Sequence, residues 1–434
     1  MPFATTSSLS PSSGRGVGDG VGEGDGLGVG DADMAADGVT AGSDAVGGGV
    51  AVGVIAGPHP ARLTASITTT TVLIGGLRSI ASRCHTDAGL ATARGWLPRL
   101  AGSLLLGAMK AAVRDRYGPP DVVRVEDVEK PLPTDDQVLV RVQAASVNRG
   151  DLDGLVPKPS FARLFMGLRA PRDRRVGLDV AGVVESVGPG VTRFKLGDRI
   201  FGDMFLFGTG AFAEYVCAPQ KAFSSIPDGM TFEDASTLPH SAVLALQGLR
   251  LRGGRTIRPG DKVLIDGASG NVGPFAVQIA KSLGAEVTGV SSTEKLDLVR
   301  SLGADHVIDY TKVDYTKTGE RYDWIVDTDS HHSIFEVRRA LRPNGVYVTL
   351  GGTTGTIFAG VIVGPLISMV SDRWSGLLLW WKPFNPDDVA TLKQLIAAGK
   401  VKPVIDRTFP LSQVVDALRW VDDGHARGKV VVTV

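Results

Sequence analysis

Cysteine is nearly missing from this sequence: Cys84 and Cys217 are the only two in 434 residues. That count excludes a disulfide framework and a four-cysteine zinc site, and it suits a reducing compartment, read here as cytoplasmic. An excess of either charge is missing too. Lys and Arg number 46, as do Asp and Glu, so no bulk field argues for nucleic acid or an acidic partner. The start of the chain lacks the basic opening and compact apolar stretch of a secretory signal. A membrane-spanning run is also lacking. The longest apolar stretch, "TIFAGVIVGPLISMV", is shorter than the roughly 20 residues a bilayer needs. It contains Gly and Pro, and Ser371, Asp372 and Arg373 follow it. It reads as a loop and helix at a pocket wall or a homodimer interface. With "WSGLLLWWKPF" next, peripheral contact with a membrane stays open.

What is there divides unevenly. In "GRGVGDGVGEGDGLGVGD" glycine takes every second position from 14 to 30. Such a tract has little to bury and a large ordering entropy, so it reads as disordered. Residues 61–108 carry Arg and Ser with few acids, a weak likeness to an organelle-targeting segment. An over-long reading of the gene start is the plainer account, because ordered sequence begins at Met109 with "MKAAVRDRYGPP". Residues 1–108 are therefore set apart as an extension.

From Met109 to residue 231 the pattern is β-rich. "QVLVRVQAASV", "DVAGVVESVGPGV" and "GAFAEYVCAP" are strands separated by Gly and Pro turns, as in a compact, mostly antiparallel barrel. Residues 232–352 differ. "TFEDASTLPHSAVLALQGLRLRG" reads as a helix with an acidic first turn. Strands "KVLIDGA", "EVTGVS", "HVIDY", "YDWIVDT" and "VYVTLGG" then alternate with helices, which predicts an α/β, doubly wound parallel sheet. Residues 353–434 supply a pocket loop and two final strands, "PVIDRTFP" and "KVVVTV", that could return to the barrel.

Between the first of those strands and its helix lies "GASGNVG", residues 267–273. Glycines at this spacing let the backbone approach a pyrophosphate, and the helix start supplies N–H groups. The dinucleotide site thus comprises Gly267, Ser269, Gly270, Asn271, Val272 and Gly273, with Gly351 closing a later strand. Asn271 is unusual, since its side chain must avoid the pyrophosphate or bond to it. An NAD site usually has an acid at the end of the second strand, for the ribose hydroxyl. Here that place holds Ser291 and Ser292, followed by Lys295. Hydroxyls and a cation suit a 2′-phosphate, so NADPH is the expected cofactor.

These stretches, with "VLVRVQAASVNRGDL", "SLGADHVIDY" and "ARGKVVVTV", resemble the medium-chain dehydrogenase/reductase superfamily. They are most similar to its zinc-independent quinone oxidoreductase branch, which includes zeta-crystallin-like proteins and enone or alkenal reductases. The resemblance implies a GroES-like β-barrel catalytic domain with an inserted Rossmann domain. It also implies roles for Asn148 at the nicotinamide, Tyr310 at the adenosine phosphate and Lys429 near the cofactor. Zinc enzymes of the superfamily carry Cys and a His-Glu pair where this chain has Ser146, Val147 and Asn148, and Leu178 with Asp179. With those ligands missing and its seven His residues scattered, the chain is expected to hold no metal. Hydride would then pass from NADPH to a small hydrophobic quinone or enone. Tyr117, Asp151 and solvent are the candidate proton donors. An NADPH-binding protein without turnover is the rival reading.

Overall fold

A computed structural model describes residues 107–157, 162–251, 254–329, 331–378 and 381–434. The expected extension 1–108 therefore lies almost wholly outside the described residues. Strands β1 (Ala108–Val113) and β2 (Arg124–Glu129) form an antiparallel pair. β3 (Gln137–Val147), β4 (Asp179–Val187), β5 (Arg199–Asp203), β6 (Tyr215–Pro219) and β7 (Phe223–Ser225) supply most of the barrel. β3 is its organising strand. It pairs antiparallel with both β4 and β6, and Val138, Val140 and Val142 alternate into one core as period-two geometry requires.

The second layer system is a parallel sheet of β8 (Lys262–Asp266), β9 (Glu286–Ser291), β10 (His306–Asp309), β11 (Tyr322–Asp327), β12 (Leu341–Thr349) and β13 (Trp374–Leu377). Its order is β10-β9-β8-β11-β12-β13, with every pairing parallel. The order reverses beside β8, and a ligand crevice opens at such a switch point, above the carboxyl ends of the strands. Val263, Leu264 and Ile265 of β8 are all buried, because helices cover both faces.

β14 (Ile405–Pro410) and β15 (Lys429–Thr433) then return to the barrel. β15 lies between β14 and β3, so the barrel sheet runs β14-β15-β3-β4-β5-β7, with β6 off β3.

Three expectations need correction. The parallel-sheet domain does not stop at residue 352, since its sixth strand β13 follows, and Phe384, Val389, Leu392 and Val401 belong to its core. The helix expected across 231–253 is, among the described residues, two helices, Phe232–Ser236 and Ser241–Gly248. Pro239 lacks an N–H and disfavours helical geometry at Leu238, so the chain breaks there. Finally, "LRPNG" is not the end of a helix. β12 begins at Leu341, with a register shift and Asn344 at φ 60, before regular pairing resumes at Val346. The apolar stretch near residue 360 is helical, over Thr354–Phe358 and Gly364–Met369 with a π-turn between. No helix among the described residues is long and apolar enough to cross a membrane.

Candidate functional site

The dinucleotide loop is built from backbone. Gly267 has φ 78, and a Cβ there would meet Thr328 Oγ1 at 2.3 Å. A Cβ on Gly273 would lie 2.2 Å from Gly267 O, so this glycine lets the helix Gly273–Ser282 start tight against the turn, with Val272 as its N-cap. Gly270 differs. Its Cβ would meet only Gly267 O, at 3.5 Å, and at Gly351 a Cβ would meet nothing within 4 Å. The space above Gly270 is therefore open, as a pyrophosphate in the crevice requires, and the residues present fit a dinucleotide.

Asn271 resolves itself. With its amide oriented to satisfy both neighbours, it donates to Gly428 O (3.1 Å) and accepts from Arg149 N (3.3 Å). Gly428 N in turn donates to Ser269 O at 2.9 Å. The side chain ties the loop to the barrel segments at residues 149 and 428.

The adenosine end is less simple than the sequence suggests. Ser291 is buried, with its hydroxyl 2.6 Å from that of Ser269. Ser292 precedes a 3₁₀ turn but makes no capping bond, so its hydroxyl is free of that duty. Lys295 donates to Gly424 O (2.6 Å) and Ala426 O (3.1 Å), and burial holds its pKa below the usual value. The exposed Arg427 lies close enough to push it the same way. Sequence reasoning missed Arg427. It also missed that Asp309 stands beside Ser291 in register. That carboxylate is occupied by Thr293, Thr311 and Lys312, which hold its pKa well below the carboxylate range. Tyr310 is 61% exposed, with its N–H bonded to Ser291 O, and is free to close over a ligand.

On the barrel side the polar groups are buried. Lys429, expected near the cofactor, is fully buried, because β15 is an interior strand. Its Nζ donates to Asn148 Oδ1 (2.6 Å), Ser241 Oγ (3.1 Å) and Val147 O (3.3 Å), and lies 3.6 Å from Asp179 Oδ2. Ser241 Oγ also donates to Asn148 Oδ1 (3.0 Å), while Asn148 Nδ2 reaches Ser146 O (3.4 Å). Asn148 is thus engaged at both ends of its amide and 1% exposed, so it is a node of the network rather than a cleft wall. Ser146 Oγ donates to Asp179 Oδ2 (3.1 Å) and Ser236 O (2.8 Å).

Asp151 accepts from Asn148 N (2.8 Å) through Oδ2, and its buried Oδ1 has no partner. Burial pushes its pKa up to about 7. Burial likewise raises Asp179 to about 6, against the pull of Lys429. Tyr117 stands apart from this network. Its hydroxyl donates to Gly167 O (2.8 Å), which leaves it no proton to offer a substrate in this arrangement.

The histidines are not all scattered. His240 Nδ1 lies 3.3 Å from Asp203 Oδ2, and Asp179, Asp203 and His240 each bring a ligand atom within 4.8 Å of the others. The cluster is not purely acidic, however: Lys429 Nζ lies 3.6 Å from Asp179 Oδ2, and burial lowers the pKa of that amine while Asp179 and Asp151 work to raise it.

Known proteins share this architecture. Residues 134–228 match the alcohol dehydrogenase GroES-like domain, and residues 302–432 match zinc-binding dehydrogenases. A mitochondrial NAD(P)H oxidoreductase of Mus musculus is 33% identical over 361 residues, covering 75% of this chain and 89% of that protein. The 2-methylene-furan-3-one reductase of Solanum lycopersicum is 33% identical, covering 75% and 79%. The quinone oxidoreductase of Coxiella burnetii superposes with a TM-score of 0.65 at 29% identity, covering 75% of this chain and 99% of that one.

The chain belongs to the medium-chain dehydrogenase/reductase superfamily. Within it, the chain is an NAD(P)H-dependent oxidoreductase of the quinone oxidoreductase branch.

Proposed function

We propose that the chain is a zinc-independent reductase that uses NADPH to reduce a quinone or an α,β-unsaturated carbonyl. The observation that carries this reading is the pairing of an open backbone cradle at Gly270 with a buried barrel network that supplies its own cation, Lys429. The donor set supports independence from zinc. Asn148 and Leu178 occupy positions where the zinc enzymes place ligands, and Asp179 is already countered by Lys429. NADPH, when bound, supplies a hydride. Around it Gly267, Gly270 and Gly273 would shape the phosphate cradle. Lys295, Arg427 and the Ser292 hydroxyl would favour a 2′-phosphate, and Tyr310 would cover the adenosine. The substrate relatives, named for enones, alkenals and quinones, support the substrate class.

A steady-state screen of quinones, enones and lipid-derived alkenals with NADPH and NADH tests this. Turnover with NADPH preferred is expected. Tight NADPH binding without turnover on any acceptor would instead indicate a binding protein.

The exposed apolar residues Phe358, Ile362, Leu366, Met369 and Val370 support a homodimer through this face, with a membrane surface as the rival occupant. Leu366→Glu should give a monomer in sedimentation. Unchanged mass with lost vesicle binding would favour the membrane. The compartment is read as cytoplasmic. Relatives are named mitochondrial and chloroplastic, so fluorescent fusions starting at Met1 and at Met109 decide it. Organellar signal from the longer fusion alone would overturn the cytoplasmic reading.

A further inference from the structure

The barrel network contains one imidazole whose outer nitrogen is unused. His240 Nδ1 is held by Asp203, while Nε2 makes no hydrogen bond among the described residues. The ring is fixed edge-on to Trp381 (centroids 5.0 Å apart, 76°) and tilted against Phe205 (5.9 Å, 47°). Nε2 lies on the Gly150 side of the ring, where a Cβ would stand 3.6 Å from it and 3.0 Å from Leu178 Cδ1, so glycine keeps that side chain from crowding the nitrogen. At 8% His240 is the most exposed of the network's polar groups, against 4% for Asp151, 1% for Asn148 and 0% for Lys429. Phe205 is 45% exposed and opens the aromatic wall toward solvent.

We propose that His240 is the catalytic acid of the reduction, with Asp203 as its positioning residue and Phe205 and Trp381 as the wall against which a planar substrate lies. The inference rests on the reductase reading and adds the group that reading lacks. A quinone or enone that has accepted a hydride holds one extra electron pair and one negative charge. It takes the proton from His240 Nε2 at oxygen or at the α-carbon. One N–H bond breaks, one O–H or C–H bond forms, and the neutral imidazole regains its proton from water. A carboxylate at Nδ1 keeps the imidazole oriented and stabilises its charged form, as such an acid needs.

The charged groups facing the ring are Asp203 from β5, Asp179 from β4, Lys429 from β15 and Asp151 from the helix Arg149–Leu155. Burial pulls the imidazolium pKa down and Lys429 does the same. The Asp203 hydrogen bond and charge, with Asp179, outweigh both and leave it above the ordinary value. The charged form of the ring is thus favoured over that of an ordinary histidine, and activity should fall as pH rises through that pKa.

Two measurements test this. In the apoprotein, an NMR titration of the His240 ring should give a midpoint above the ordinary histidine value, lowered by Asp203→Asn. A wild-type midpoint at or below that value overturns the proposal. In the holoenzyme, His240→Asn should lower kcat on the order of 10²–10⁴-fold, abolish the alkaline limb of the pH profile and leave the NADPH Kd unchanged. A wild type that turns over quinones or enones while His240→Asn keeps its kcat and its pH limb defeats this inference alone. A wild type with no turnover on any acceptor defeats the reductase reading and this inference with it.

Discussion

The two walls of the crevice are made differently. The parallel-sheet wall works through backbone: three glycines shape a turn, and the open face at Gly270 is an absence of side chain. The barrel wall works through side chains, with Lys429, Asn148, Asp179 and Asp203 packed out of water against His240 and Ser241, which come from the start of the helix Ser241–Gly248 on the parallel-sheet side. A backbone cradle suits a constant ligand, since every dinucleotide presents the same pyrophosphate. A side-chain network sets charge, and it is only as stable as its compensation.

The sharpest way to break this contrast is Lys429→Met. It strands Asp179 without its counter-charge in the barrel interior and should cost about 3–5 kcal/mol in urea unfolding. A loss below about 1 kcal/mol would mean the network is not electrostatically tight. Next comes Asp151→Asn. The wild-type carboxyl titrates near 7 in the folded chain and far lower when unfolded, so its ionisation penalty grows from about pH 4 to 7 and is complete above. The variant should be more stable than the wild type at pH 8, by roughly 2–4 kcal/mol, with the gap closing by about pH 4. A gap that does not change with pH would show that the carboxyl is not desolvated.

On the other wall, Gly273→Ala should destabilise by about 1–3 kcal/mol and abolish NADPH binding in calorimetry, because the new methyl collides with Gly267 O. Gly270→Ala should leave apoprotein stability within about 0.5 kcal/mol of wild type while still weakening NADPH. If both variants behave alike, the loop is not divided into a packed and an open glycine. The smallest effect is expected for Lys295→Ala or Arg427→Ala, about 1.4 kcal/mol or tenfold in NADPH affinity, with NADH little changed. Equal losses for both cofactors would remove the phosphate role.

The backbone wall was legible in the sequence because its signal is local. Strand, "GASGNVG" and helix are contiguous, and the alternation of elements around them defines the sheet. The barrel wall was not. Lys429 meets Asn148 across 281 residues of chain and Ser241 across 188, and no spacing rule links them. Lys429 was reached only through the family resemblance, as a basic residue near the cofactor, because nothing local says that β15 is flanked on both sides or that this amine meets Asp179. His240 was one of several dispersed histidines. The available signal was Pro239 inside a helical pattern, which breaks the helix just before His240. Lys295 was legible as a cation after β9, but its carbonyl partners at 424 and 426 and its neighbour Arg427 arrive from the far end of the fold.

The position of β15 also bears on how the protein is made. β15 follows every other described strand in synthesis, yet it must slot between β14 and β3 and bring Lys429 to Asp179. Until those residues clear the ribosome, the barrel has an open seam along β3 and a carboxylate awaiting its partner. The nascent barrel would thus be held short of completion through most of translation, while the parallel-sheet domain, contiguous in sequence, is free to close first. A chain stopped after residue 428 should therefore yield a folded dinucleotide domain joined to an unsealed barrel, a species suited to capture by chaperones.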